Sequence, residues 1–132
     1  MKLITRDTDY AVRALRILAL NKDEILTVRQ LVSKTKISRP FLRKILQILS
    51  RKRIISSSKG KAGGFVLSGN PHKISIIDLI EIFQGGIKLS EHIFRKQECC
   101  NIKRCRLKKV IDEIEIYAVK RLRSVSLSYL YS

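Results

Sequence analysis

Between Thr27 and Ser50 the sequence carries two short amphipathic segments separated by a three-residue turn, and this pairing restricts the fold more than any other feature. Thr27-Val28-Arg29-Gln30 has the form of a capping box, in which the threonine and glutamine side chains each satisfy an amide at the other end of the turn. It opens a helix carrying Val28, Leu31 and Val32, and Lys34-Thr35-Lys36 is the turn that ends it. Ser38 is set to cap a second helix, and Pro40 is tolerated in its first turn, where amides have no intrahelical acceptor to lose. Leu42, Ile45, Leu46 and Leu49 form a buried stripe at helical spacing, leaving Arg39, Arg43, Lys44, Gln47 and Ser50 on the outer face. Two short helices joined tightly, the second basic on its outer side, describe a helix-turn-helix whose second helix would lie in a major groove. The same spacing fits any pair of packed helices, so charge has to separate the two.

The net charge is +17, and its distribution says more than its total. Residues 1–70 carry 16 Lys/Arg against 4 Asp/Glu, whereas residues 71–132 carry 12 against 7. No acidic residue stands between Ile25 and Ser75. A field of one sign attracts a polyanion and gains from released counterions. A basic surface kept for solubility is the plainer alternative, but an acid-free stretch of this length is an inefficient route to it.

A hairpin is predicted next. Arg53-Ile54-Ile55-Ser56-Ser57 reads as a strand, Ser58 to Gly64 as a glycine-rich loop and Phe65-Val66-Leu67 as the returning strand. A basic hairpin directly after a helix-turn-helix is a wing, with Lys59 and Lys61 able to approach phosphates or a minor groove. The loop lacks P-loop spacing, and no helix follows it directly. The expected fold is therefore mainly α with a small β-wing: a winged helix-turn-helix over residues 1–70, then a second region over 71–132.

The flanking elements complete the outline. A first helix is expected from about Thr8 to Leu20, with Thr8 as N-cap, Asp9 compensating the helix dipole and Asn21-Lys22-Asp23 closing it. Ser75-x-x-Asp78 should cap a helix ended by Gly85-Gly86. An irregular loop over about 88–104 leads to a long helix starting near Cys105. Leu107, Val110, Ile111, Ile114, Ala118, Leu122 and Val125 give that helix a continuous apolar edge, to be buried by a second subunit, by the chain's own first helix, or by both. Residues 126–132 could add a short terminal helix.

Function classes narrow accordingly. No apolar run is long enough for a membrane span, and the start of the chain has no signal-peptide core, which predicts a cytoplasmic protein without a membrane partner. No paired carboxylates, nucleophile–base pattern or metalloprotease motif is present, and there are only two histidines, so an enzyme is not expected. Cys99, Cys100 and Cys105 fall within seven residues, an odd number that argues against a disulfide framework and leaves metal binding, redox chemistry or inert thiols.

The chain resembles the Rrf-two family of bacterial transcription regulators, the IscR and NsrR type. The resemblance rests on Met1-Lys2-Leu3, Thr8-Asp9-Tyr10-Ala11-Val12-Arg13-Ala14-Leu15, Ile37-Ser38-x-Pro40-Phe41-Leu42-x-Lys44-Ile45-Leu46, Lys59-Gly60-x-x-Gly63-Gly64-Phe65 and Cys99-x5-Cys105-x-Leu107. It implies a homodimer whose long C-terminal helices cross between subunits, reading a palindromic double-stranded DNA operator through two major grooves. It assigns Ser38, Arg39, Phe41, Arg43 and Lys44 to the DNA-facing side. Arg43 stands where some relatives carry an acid, and arginine there suits guanine. Lys59 and Lys61 stand where relatives place a wing arginine.

The resemblance also implies an iron–sulfur cluster, 2Fe–2S or 4Fe–4S, sensing redox state, nitric oxide or cluster supply. Cys99 and Cys105 match the second and third family cysteines, and Asp9 matches an aspartate that ligates across the dimer. The first family cysteine is missing, and His92 falls in its place, a residue type that can ligate iron. Cys100 is an extra thiol and an alternative ligand beside Cys99. A solvated His92, a purely electrostatic Asp9, a zinc or haem site, a cluster-free regulator working through a thiol or a partner protein, and a basic RNA-binding protein all remain open.

Overall fold

The computed structural model describes residues 2–60, 63–89 and 105–131. Helix α1 spans Arg6–Leu20, α2 Val28–Thr35 and α3 Arg39–Arg51. Strands β1 (Ile55–Ser58) and β2 (Gly64–Leu67) follow, then α4 (Ile76–Gln84), α5 (Arg106–Arg123) and a 3-10 turn over Leu127–Leu130.

Helix α1 starts one turn earlier than the sequence suggests. Thr5, not Thr8, is the N-cap, and its side chain accepts from the Thr8 amide. Thr8 is fully buried instead, and its hydroxyl donates to Gln84 Oε1 at 2.7 Å. The Thr5 amide donates to the same oxygen at 3.0 Å, while Gln84 Nε2 reaches the Leu3 carbonyl at 3.2 Å. The end of α4 thereby fastens the start of α1. A threonine three residues downstream reads as well as a cap in sequence, because only the tertiary partner separates them.

The capping box of α2 forms as expected, with Thr27 accepting from the Gln30 amide and Gln30 from the Thr27 amide. Lys36 takes the left-handed conformation (φ 62°) that lets the chain leave α2, and Thr35 secures the turn by donating to the Leu31 carbonyl at 2.6 Å. Ser38 is the N-cap of α3 but makes no side-chain capping bond. Leu42, Ile45, Leu46 and Leu49 are buried together with Leu15, Leu18, Leu31 and Ile37 in one continuous core. Each such side chain contributes roughly 1.5–3 kcal/mol of burial free energy.

The hairpin is antiparallel, pairing Ile55 with Leu67 and Ser58 with Gly64. The first strand is therefore shifted by two residues from Arg53, which adopts φ 60° in the turn out of α3. Leu26 adds a short third arm: its amide and carbonyl both bond Phe65, at 2.9 and 2.7 Å. A Cβ on Gly64 would run into the Leu26 carbonyl, so glycine permits this approach.

The capping box of α4 is present, and Gly85 ends that helix at φ 75°. The segment after α5 returns to α4, with the Leu127 amide donating to the Ile74 carbonyl at 2.7 Å and the Ile76 amide to the Val125 carbonyl at 3.0 Å. Ala118, Val119, Leu122 and Val125 pack against the core. Leu107, Val110, Ile114 and Tyr117 on the same helix stand 50–69% exposed.

Candidate nucleic-acid interface

Helix α3 has one fully buried side and one side largely exposed. Arg39, Phe41, Arg43, Lys44, Gln47 and Arg51 are exposed, and Ser50 is half-buried. The local sequence enforces this orientation, because Leu42, Ile45, Leu46 and Leu49 can be buried only if the intervening residues face outward. The uncapped Ser38 hydroxyl lies exposed at the start of the same helix.

The first turn of α1 meets this face. Asp7 Oδ2 lies 3.4 Å from Lys44 Nζ. Arg6 stacks over the Phe41 ring with its guanidinium carbon 4.5 Å from the centroid, and the rings of Tyr10 and Phe41 are 6.4 Å apart. Arg13 lies 5.8 Å from the Tyr10 centroid and pairs with Asp9 at 2.9 Å. These α1 contributions are not legible in sequence, since nothing in local periodicity says that residues 6–13 approach residues 41–44.

In the wing, Lys59 is exposed beside Gly60, whose φ of 115° turns the loop. Lys61 lies outside the described residues. Gly63 closes the loop by donating to the Gly60 carbonyl at 3.0 Å.

The candidate ligand set is divided. His92, Cys99 and Cys100 lie outside the described residues. Cys105 is a half-exposed free cysteine at the N-cap of α5 and makes no side-chain capping bond. No acidic residue stands in the first turn of that helix. Asp9 is half-exposed and already paired with Arg13, so its carboxylate has a structural occupation as well as a ligand's chemistry. On donor chemistry both residues fit an iron site, and among the described residues no group of three or more potential ligands comes together. The loop that would carry the other ligands is anchored at its start, where Glu115 of α5 accepts from the Leu89 amide at 2.9 Å. The second histidine, His72, is engaged elsewhere, with Nδ1 2.9 Å from the Ser128 hydroxyl.

The family model described as Rrf2, iron-dependent transcriptional regulator, matches residues 4–132. The chain belongs to the Rrf2 family. Rrf2 proteins are DNA-binding transcription regulators with a winged helix-turn-helix. This Rrf2 chain is 40% identical over 90 residues to an HTH-type transcriptional regulator of Aquifex aeolicus, a match covering 68% of this chain and 62% of that protein. It is 32% identical to the HTH-type transcriptional regulator NsrR of Shouchella clausii, across 90% of this chain and 87% of that one. Its fold resembles T. potens IscR (TM-score 0.77, 20% identity, 98% of this chain and 85% of that chain). It also resembles CymR, the global cysteine regulator of B. subtilis (TM-score 0.73, 20% identity, 99% and 97%). No helix among the described residues is long and apolar enough to cross a membrane.

Proposed function

We propose that this Rrf2 protein binds a palindromic operator as a homodimer and adjusts that binding through an iron–sulfur cluster held by the 88–104 loop. The observation that carries the DNA reading is the open cationic face of α3, with Arg39, Arg43 and Lys44 exposed over a fully buried apolar side. A helix so oriented can enter a major groove without unpacking anything. Ser38, Arg39, Phe41, Arg43 and Lys44 face the bases and flanking phosphates, and Lys59 and Lys61 extend the wing to the adjacent backbone. Residues 1–70 form the DNA-binding part, residues 71–132 the sensing and pairing part, and the protein works in the cytoplasm.

Pairing uses α5. Leu107, Val110, Ile114 and Tyr117 leave an apolar edge in water that a second copy of the same helix would cover. Cluster ligation draws on Cys105 and Cys99, with His92 in place of the missing cysteine, Cys100 as the alternative, and Asp9 from the partner subunit. The cluster, when bound, supplies a centre reactive toward oxidants and nitric oxide. Cys105 opens α5, so a change in its ligation bears directly on the pairing helix. Arg13 holds Asp9 Oδ2, which leaves Oδ1 as the oxygen through which Asp9 would ligate.

The test has two parts. Full-length protein purified without oxygen is assayed for iron, sulfide and visible absorption, and its binding to a duplex selected from a randomised library is measured with excess RNA present. Thiolate-to-iron bands between roughly 320 and 460 nm with binding that survives RNA support the whole reading. Colourless, iron-free protein that binds duplex DNA removes the cluster and leaves the regulator. Loss of binding to RNA competitor removes the operator.

A further inference from the structure

Where α1 meets α3 there are three cations, Arg6 over Phe41, Arg13 over Tyr10 and Lys44, and two carboxylates, Asp7 and Asp9. Both carboxylates are committed: Asp9 to Arg13 at 2.9 Å and Asp7 to Lys44 at 3.4 Å. Among the described residues Arg6 has aromatic contacts only, 4.5 Å from the Phe41 centroid and 6.0 Å from that of Tyr10. It is exposed on the outside of α1.

A guanidinium lying on a ring face keeps the N–H groups at its edge free, and stacking restricts a side chain that would otherwise be mobile. Phe41 belongs to the first turn of α3, the end of a recognition helix that meets base edges. A major groove is walled by phosphates, so a fixed cation immediately beside that end faces the backbone rather than a base. We propose that Arg6 is a DNA phosphate-binding residue, held by Phe41 and Tyr10 and supplied by α1 rather than by the helix-turn-helix or the wing. This assignment rests on the reading of α3 as the groove-binding helix. Its ligand is a phosphodiester oxygen next to the half-site, and its contribution is independent of sequence.

The prediction is specific to charge. Full-length wild type, R6Q and R6K are titrated against a duplex selected by the wild type and against a scrambled duplex, between roughly 50 and 200 mM salt. R6Q should weaken both duplexes alike and flatten the dependence of log affinity on log salt by about one per bound subunit. R6K keeps the charge and should keep the salt slope. An unchanged R6Q slope overturns the assignment, including the case in which R6Q weakens only the selected duplex, which would mean that Arg6 merely supports Phe41. Wild type that binds neither duplex overturns the α3 reading itself and this assignment with it.

Discussion

Asp7 of α1 and Lys44 of α3 form an ion pair across 37 positions of sequence, with Oδ2 and Nζ 3.4 Å apart at the exposed edge of α3. Lys44 is 62% exposed and Asp7 30%, so the pair adds little to stability. Its consequence is for binding. With α3 in a major groove as proposed, the carboxylate would share the lysine with any phosphate that approaches and would repel that phosphate as well.

Asp7→Asn should therefore tighten binding to duplex DNA, by about threefold to tenfold at low salt, which corresponds to roughly 0.7–1.4 kcal/mol. The steeper salt dependence of the variant should come from Lys44. Adding Lys44→Gln should then cost more affinity in the Asp7→Asn background than in the wild type. A double-mutant cycle by fluorescence anisotropy measures this directly. Equal losses in the two backgrounds would show that Asp7 does not restrain Lys44 in the complex.

Gln84 is the second tie between distant parts, taking bonds from the Thr8 hydroxyl and the Thr5 amide and giving one to Leu3. Gln84→Leu keeps the bulk but removes the 2.7 Å acceptor of the fully buried Thr8 and the acceptor of the Thr5 amide, leaving the Thr8 hydroxyl only Thr5 Oγ1 at 3.2 Å. A loss of about 1–3 kcal/mol is expected, a drop of several degrees in Tm. Thermal unfolding followed by circular dichroism reads it, and a Tm within a degree of wild type would mean that water replaces the glutamine without cost.

These ties mark the boundary of what the sequence could disclose. Capping boxes at Thr27 and Ser75, the stripe Leu42–Ile45–Leu46–Leu49 and the glycine ending α4 are local devices, and each appears as the residues imply. Thr8 reads as the N-cap of α1 in sequence, but its role as a buried donor depends on Gln84, 76 residues away. The Leu26 arm of the sheet was invisible for the same reason, being one residue long and recognisable only by its bonds to Phe65. At the interface, the outer face of α3 followed from periodicity, whereas Arg6, Asp7 and Tyr10 enter only through the packing of α1 on α3.

Gly64 tests the wing. A methyl group there would press on the Leu26 carbonyl, which accepts from the Phe65 amide. Gly64→Ala should loosen the three-armed sheet at a cost of about 1–3 kcal/mol and should weaken duplex binding through the displaced Lys59. Hydrogen exchange at the Phe65 amide is the local readout. Protection equal to wild type would show that the strands accommodate the added carbon by a small shift.

The apolar edge of α5 supplies the last prediction. Ile114 is 53% exposed, so Ile114→Lys has almost no core to disturb within one subunit. If two copies of α5 cover each other, the substitution sets a lysine against its own symmetry mate inside an apolar seam, where an unpaired charge is costly. The expected result is a shift from dimer to monomer in light scattering after gel filtration, with helix content and Tm measured at low concentration unchanged. Affinity for a palindromic duplex should fall far more than affinity for a single half-site, because the second recognition helix is no longer tethered. A variant that stays dimeric would move the pairing surface off this edge, and a wild type that is monomeric at every concentration would remove the dimer from the proposed mechanism.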